Sequence, residues 1–365
     1  MSDNIKTAIN QFLPEWSIDH IDTVKNGNIN DTYTLYASCD NMTKPFTLQR
    51  INGYVFKSPE QIMSNISRVT QHLKRKIEET GRDSDNHVIC PLTALSGKPF
   101  FSDGSGSFWR MYPYITHSVC YNEVRDADVM TMIGRAFGEF QMHLSDFPAE
   151  TLNITIPDFH NTKKRYNQLY TAAEADVCGR ADEVRNELDY LGSIERVSTR
   201  IDDLVEGGLM KLRVTHNDTK ANNVLLDADT NEPLTVIDLD TVMPGLAVHD
   251  FGDAVRYGAN KVAEDEADLR SVGVDLNIYE AFAKGFIPPI RDALTKLEIE
   301  NMALGAVTMA SELATRFLAD YLSGDKYFKI GYDKHNLVRA RCQIALANDM
   351  LVKYDKMCAV VEKYA

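Results

Sequence analysis

The feature that most constrains how this chain can fold is a change of hydrophobic period part-way along it. In the first third, apolar and β-branched residues alternate with polar ones, whereas from about Val124 they recur at helical spacing. Strands first and helices afterwards predict an α+β chain in which an antiparallel sheet and a helical region are segregated. At 365 residues the chain exceeds the size at which a single core usually stops growing, so two lobes are expected. The Pro-broken apolar stretch Tyr112-Pro113-Tyr114-Ile115 is the natural boundary, giving lobes over 1–113 and 114–365.

Within the small lobe, Ile5, Ala8, Ile9 and Phe12 predict a short opening helix that Pro14 stops. Alternation around Ile21–Val24, Thr32–Tyr36 and Phe46–Ile51 predicts three antiparallel strands, with Cys39-Asp40-Asn41-Met42 as the turn between the last two. Ser58-Pro59-Glu60-Gln61 reads as a capped helix start, Ile62, Ile66, Val69, Leu73 and Ile77 as the buried face, and Gly81 as its stop. Further strands are expected at Leu92–Leu95, Phe100–Phe101 and Ser107–Tyr112, so the lobe is a curled sheet with one packed helix. In the large lobe, helices are expected near Val129–Leu144, Ala181–Val197, Asn277–Phe286, Glu298–Leu322 and Asn336–Val361, with brief strands at Leu212–Thr215, Val224–Leu226 and Leu234–Ile237.

Composition excludes several classes. With 44% hydrophobic and 25% charged residues the chain is not a disordered one. A formal net charge of -14 without any Lys/Arg-rich stripe argues against a nucleic-acid partner. Cys39, Cys90, Cys120, Cys178, Cys342 and Cys358 are scattered without a Cys-x-x-Cys pair, which predicts neither a zinc site nor a disulfide framework. No apolar run approaches the ~20 residues of a membrane span and no signal-like start is present, so a cytoplasmic protein without a membrane partner is expected.

Between the apolar flanks Leu212–Thr215 and Val224–Leu226 stands a polar island, His216-Asn217-Asp218-Thr219-Lys220-Ala221-Asn222-Asn223. Flanking strands would fix both ends of such a loop while it presents functional groups. A second apolar run, Thr235-Val236-Ile237, leads into Asp238-Leu239-Asp240, where alternate strand positions would turn both carboxylates to one side. Phosphoryl transfer needs a carboxylate at the acceptor hydroxyl, a cation on the transferred group and oxygen ligands for magnesium. Asp218 supplies the first and Lys220 the second; Asn223 and Asp238 supply metal ligands, with Asp240 a second metal ligand or its support. The spacing His-x-Asp-x-Lys-x-x-Asn followed by a metal-type Asp matches the catalytic loop of kinases. His216 and Asp250 are read as structural, orienting and holding that loop.

On these residues the chain resembles the aminoglycoside phosphotransferase and choline kinase superfamily and, within it, the N-acetylhexosamine 1-kinases. Asn28-Ile29-Asn30, Trp109-Arg110-Met111-Tyr112, Arg213 to Asn223, Ile237 to Thr241, Asp250-Phe251-Gly252-Asp253 and Arg316 to Leu322 carry the likeness, over most of the chain. The resemblance implies a two-lobed protein-kinase-like fold and transfer of the γ-phosphate of ATP, with Mg2+, to the anomeric hydroxyl of N-acetylglucosamine or N-acetylgalactosamine. It also implies Asp218 as base, Asn223 and Asp238 at the metal, and Asn28, Tyr257, Arg316 and Tyr327 near the sugar. Gly27, Arg50, Met111 and Tyr112 are expected beside the nucleotide. Two departures are visible: Asn28 stands where a kinase of this group carries His, and Phe46-Thr47-Leu48-Gln49-Arg50 lacks the strand Lys that many kinases place on the α- and β-phosphates. The alternatives are a kinase of another small alcohol, such as an aminoglycoside, amino alcohol or different sugar, and a non-catalytic pseudokinase.

Overall fold

In the computed structural model, which describes residues 3–24 and 29–365, the alternating first third folds as a meander. Helix α1 (Asp3–Phe12) buries Ala8, Ile9 and Phe12. Strands β1 (Ser17–Val24), β2 (Asp31–Cys39) and β3 (Met42–Ile51) follow. Asp40 and Asn41 sit at φ 49° and 63°, the left-handed pair that matches the twist of a two-residue hairpin and that Asp and Asn tolerate. Then come α2 (Pro59–Glu79), β4 (Phe101–Ser102), β5 (Phe108–Pro113) and β6 (Ser118–Val119). Farther on lie α3 (Ala127–His143), α4 (Thr162–Ala175), α5 (Arg185–Ser198), α6 (Arg200–Glu206), β7 (Arg213–Thr215), β8 (Val224–Asp227) and β9 (Pro233–Val236). The chain ends with α7 (Ala247–Gly258), α8 (Leu276–Ile290), α9 (Lys296–Glu300), α10 (Met302–Leu322), α11 (His335–Val352) and α12 (Tyr354–Tyr364). No described helix is long and apolar enough to cross a membrane.

Two compact units emerge. One comprises Met1–Val119, Asp146–Pro157 and Leu225–Pro244; the other comprises Cys120–Ser145, Asp158–Val224 and Gly245–Ala365. In the first, the antiparallel sheet runs β1-β2-β3-β5-β4, with Gln49 opposite Arg110 and Leu48 opposite Met111. Leu35, Leu48, Trp109 and Met111 pack with Ile9 of α1 to form its core. Asn65 of α2 is buried; its amide donates to the carbonyls of Asn153 (2.8 Å) and Val242 (3.0 Å) and its carbonyl accepts from the Asn153 N–H. These bonds seat the acidic segment after β9 against α2.

In the second unit α10 is buried on nearly every side, and its crossing with α7 is set by glycine. A Cβ on Gly252 would stand 2.3 Å from the Gly305 carbonyl oxygen, and one on Gly305 would stand 2.1 Å from that of Val248. The two backbones therefore approach as no other residue would allow. This fixes α7, which carries Asp250 and Asp253.

The structure corrects several expectations. Leu92–Leu95 is not a strand: Leu92 N–H reaches the Met111 carbonyl (2.7 Å), but Ala94 N–H turns away to Lys98 (2.8 Å). Ser58 makes no side-chain cap; the Gln61 N–H goes instead to the Ser58 carbonyl (3.0 Å). The expected helices 298–322 and 336–361 are each broken, at Asn301 and Lys353. At Asn301 the side chain donates to the Leu297 carbonyl (2.8 Å), competing with the backbone. Asp238 and Asp240 do not lie on a strand: β9 ends at Val236, and Asp238, at φ 60°, turns the chain into a single 3-10 turn, Leu239–Thr241.

Candidate active site

In the second unit β7 delivers the polar island, and buried acids of α7 shape it. The Asp250 carboxylate accepts the N–H groups of His216 (2.9 Å) and Asn217 (2.7 Å) and the Gln141 amide (2.6 Å). Burial raises its pKa, and the neighbouring His216 together with those three bonds offsets this only in part. Both oxygens face only donors here, the geometry of an ionised carboxylate. Asn217 is thereby held at φ 63°, an uncommon conformation away from glycine. Asp253 accepts the Thr219 N–H (3.1 Å) and pairs with Arg256 (2.8 Å), while Thr219 Oγ1 donates to the Asp250 carbonyl (2.6 Å). Burial would raise the pKa of Asp253, but the charge of Arg256 outweighs it and the group is held low. His216 is fully buried between the rings of Phe137 and Phe140, and its Nδ1 accepts the Asp218 N–H (3.3 Å).

On that base three predicted residues come together. Lys220 Nζ lies 2.9 Å from one oxygen of Asp218 and 3.1 Å from the other. Burial alone would lower the pKa of Lys220, and Asp218 reverses this, so the ammonium stays charged. The Asn223 amide nitrogen donates to the Asp218 backbone carbonyl (2.8 Å), which leaves its carbonyl oxygen as the end available to a cation. A hard-cation ligand of the right type thus stands beside a carboxylate and an ammonium.

Asp238 and Asp240 belong to the first unit. Asp240 is 4% exposed, and its oxygens accept from the Arg110 guanidinium and from the Asn30 amide (2.7 Å). Arg110, 1% exposed, also donates to Gln49 Oε1 (2.9 Å) across the β3–β5 register and lies over the Tyr112 ring (5.4 Å). Its pKa is raised, the charge of Asp240 overcoming burial. Arg50 is half-exposed and engaged by Asp31 (2.8 Å), with Trp109 beneath it. Met111 is wholly inside the sheet core. Gly27 and Asn28 lie outside the described residues.

Tyr257, Arg316 and Tyr327, expected near the sugar, fall into separate groups of the second unit. Arg316 lies over the rings of Phe159 (5.9 Å), Tyr327 (6.0 Å) and Phe328 (5.5 Å). Tyr327 is 70% exposed on a loop gathered by Asp320, which accepts the N–H groups of Lys326, Tyr327 and Phe328. Tyr257 instead donates to the Asn122 carbonyl (3.1 Å), and no hydrogen bond or ring contact among the described residues joins it to Arg316 or Tyr327.

Sequence reasoning missed two supports. One is the Arg110–Asp240 pair; the stretches holding both residues stood out, but the pairing of a β5 arginine with the second Asp had no spacing signal. The other is His160, whose ring nitrogens contact Glu312 (3.1 Å) and the Asn217 carbonyl (3.4 Å), bridging α10 to the loop. A lone His ahead of a helix gave no sign of it. A further group, His117, Asp227 and Asp229, is largely exposed, and Asp227 already serves a turn by accepting the N–H groups of Asp229 and Thr230.

A strand-led sheet unit, a helical unit and a His-x-Asp-x-Lys-x-x-Asn loop held by a buried helical Asp define a phosphotransferase with the protein-kinase-like fold. Solved structures agree on the fold. The chain superposes on an aminoglycoside phosphotransferase from Alicyclobacillus acidocaldarius with a TM-score of 0.62 at 12% identity, covering 98% of this chain and 96% of that one. For the Plasmodium vivax ethanolamine kinase the TM-score is 0.54 at 10% identity, covering 91% and 83%. For the GDP complex of aminoglycoside 2'-phosphotransferase-IIIa it is 0.57 at 15% identity, covering 94% and 98%. Residues 94–282 match the phosphotransferase enzyme family, and the chain belongs to it. It is a phosphotransferase.

Proposed function

We propose that this phosphotransferase moves the γ-phosphate of ATP to the anomeric hydroxyl of an N-acetylhexosamine, giving the sugar 1-phosphate. The observation that carries the reading is the joint placement of Asp218, Lys220 and Asn223 on one loop fixed by Asp250. Asp218 orients the acceptor hydroxyl and takes up its proton; Lys220 neutralises charge gathering on the transferred group. Asn223 and Asp238 are the residues that would hold magnesium, and the free carbonyl end of Asn223 suits a hard cation. Magnesium, when bound, neutralises phosphate oxygens. Asp240, engaged by Arg110 and Asn30, would support Asp238 in that role.

In this reading residues 1–113 form the nucleotide-binding lobe, with Gly27, Arg50, Met111 and Tyr112 on the nucleotide side, and residues 114–365 the catalytic and acceptor-binding lobe of a cytoplasmic enzyme. Asn28, Tyr257, Arg316 and Tyr327 contact the sugar. Replacing Asp218 by Ala is expected to lower turnover ~10²–10⁴-fold, the scale for loss of a general base, with nucleotide binding nearly unchanged. Release of ADP measured over a panel of hydroxyl acceptors, with phosphorus NMR of the product, tests both the base and the acceptor. Near-normal turnover in the Asp218→Ala variant, or phosphate on an amino alcohol instead of a sugar, would overturn the assignment.

A further inference from the structure

Beyond α7 the chain doubles back over residues 259–266, and its backbone is fastened there. Asp275 N–H donates to the Ala259 carbonyl (2.8 Å) and Lys261 N–H to that of Gly273 (3.0 Å). Cys342 of α11 clasps the same segment, receiving the Asn260 amide at 3.9 Å and donating to the Ala263 carbonyl at 3.5 Å. Between this segment, the end of α7 and residues 122–125 lies a cavity of about 280 Å³. Ala221 of the catalytic loop and Tyr257 form part of its wall, so it opens beside the residues proposed to do the chemistry.

Each charged group of this cavity has a partner. Arg256 is engaged by Asp253 and Glu264 (2.7 Å), Arg125 donates to the Asn260 carbonyl (2.6 Å) near Glu123, and Asp265 pairs with His335 (3.1 Å). The groups left without partners are neutral amides. Gln343, 0% exposed, has neither its nitrogen nor its oxygen engaged, and the side-chain oxygen of Asn260, 2% exposed, is likewise unpaired. Each such buried group is unfavourable unless something in the cavity answers it. The volume is close to the lower end of small-molecule sites.

We propose that this cavity receives the neutral, hydroxyl- and amide-bearing body of the acceptor, with Gln343 and Asn260 reading it as donor and acceptor together. The inference rests on the kinase reading above for the identity of the ligand as acceptor, but its binding claim stands apart from transfer. A compound bearing an ammonium meets no unpartnered carboxylate in the wall, and its charged end, a donor only, can answer the amide oxygens but not the Gln343 N–H. A neutral sugar satisfies the amides and can lay its apolar face on Tyr257.

Calorimetric titration of the full chain, in the presence of magnesium and ADP, tests it with N-acetylglucosamine as the neutral probe and ethanolamine as the cationic one. The wild type is expected to prefer the neutral probe. Gln343→Leu removes the amide, and Ala263→Trp narrows the mouth from an exposed position, so the second variant folds even where the first does not. Each is expected to weaken N-acetylglucosamine binding ~10-fold or more, the scale of one buried hydrogen bond, while ADP affinity stays within about twofold. Undiminished sugar binding in Ala263→Trp, no binding of the neutral probe by the wild type, or tighter binding of ethanolamine overturns the inference. A wild type that binds the sugar here yet transfers no phosphate to it sinks the proposed reaction and leaves the cavity assignment standing. One that phosphorylates the sugar with unchanged KM in both variants does the reverse.

Discussion

Substituting Asp250 by Asn tests whether a buried carboxylate with no contact to substrate sets the catalytic geometry. The carboxylate receives three N–H groups, from His216, Asn217 and Gln141, at 2.9, 2.7 and 2.6 Å. An amide of the same shape keeps one acceptor oxygen and turns an NH2 toward at least one of those donors. Hydrogen bonds to charged groups are worth about 1.5–3 kcal/mol, and a buried N–H left without a partner costs about 1–3 kcal/mol. The Asn variant is therefore expected to lose about 2–3 kcal/mol in urea denaturation, and Asp250→Ala, which orphans all three donors, about twice that. The functional effect follows from Asn217, whose left-handed φ of 63° these bonds maintain one residue ahead of Asp218. Relaxation there displaces Asp218, the proposed base, and misplacement of about 1 Å costs ~10²-fold in rate. Turnover by ADP release should fall ~10–100-fold, with the KM for nucleotide little changed, since the Asp250 carboxylate touches only the loop and Gln141 of α3. A variant with wild-type urea midpoint and a rate within about twofold of wild type would refute this account.

Three further outcomes follow from the same physical picture. Arg110→Met leaves the Asp240 carboxylate buried without its cation and is expected to cost about 3–5 kcal/mol in urea denaturation, with Arg110→Lys intermediate. His249 is buried with Nε2 unpartnered, and burial together with the charge of His160 lowers its pKa to about 3, below the ~6.5 of an unfolded chain. Between those values the unfolded state binds a proton that the folded state refuses, so stability drops as pH falls from ~6.5 toward 3. His249→Leu should flatten that slope in melting curves from pH 7 to 4, leaving the smaller acid loss from Glu312, whose pKa burial would raise but the hydrogen bond from His160 pulls down to about 2. Gly252→Ala would press a methyl onto the Gly305 carbonyl and should lower both the melting temperature and turnover, overpacking costing about 1–3 kcal/mol or more.

Much of this was legible in the sequence because it rested on local rules. The hairpin at Asp40-Asn41 and the helix face from Ile62 to Ile77 needed only turn chemistry and period, and both stand in the structure. The loop residues Asp218, Lys220 and Asn223 were legible because polar residues between apolar flanks have few structural reasons to be there. Helix α7 escaped for the opposite reason. It is buried on all its faces, from Ala247 to Arg256, so the polar residues opposite its short apolar stripe do not face water but satisfy partners elsewhere in the fold. The same holds for Arg110 with Asp240 and for His160 with Glu312: each pairing joins residues more than a hundred positions apart and exists only once the fold closes.

That division carries a mechanistic consequence. The groups the chemistry displays are short-range and readable, while those that hold them in place are long-range, buried and charged. A buried carboxylate is costly unless its partners are already fixed, and here those partners are backbone N–H groups of the loop itself. Asp250, and to a lesser degree Asp253 with its Arg256 partner, are thus best satisfied when the loop has its working shape, and their carboxylates in turn hold that shape. Loop geometry and α7 packing should accordingly fail together, so variants that loosen the α7–α10 crossing at Gly252 or Gly305 should lose turnover in proportion to stability, although neither glycine belongs to the loop.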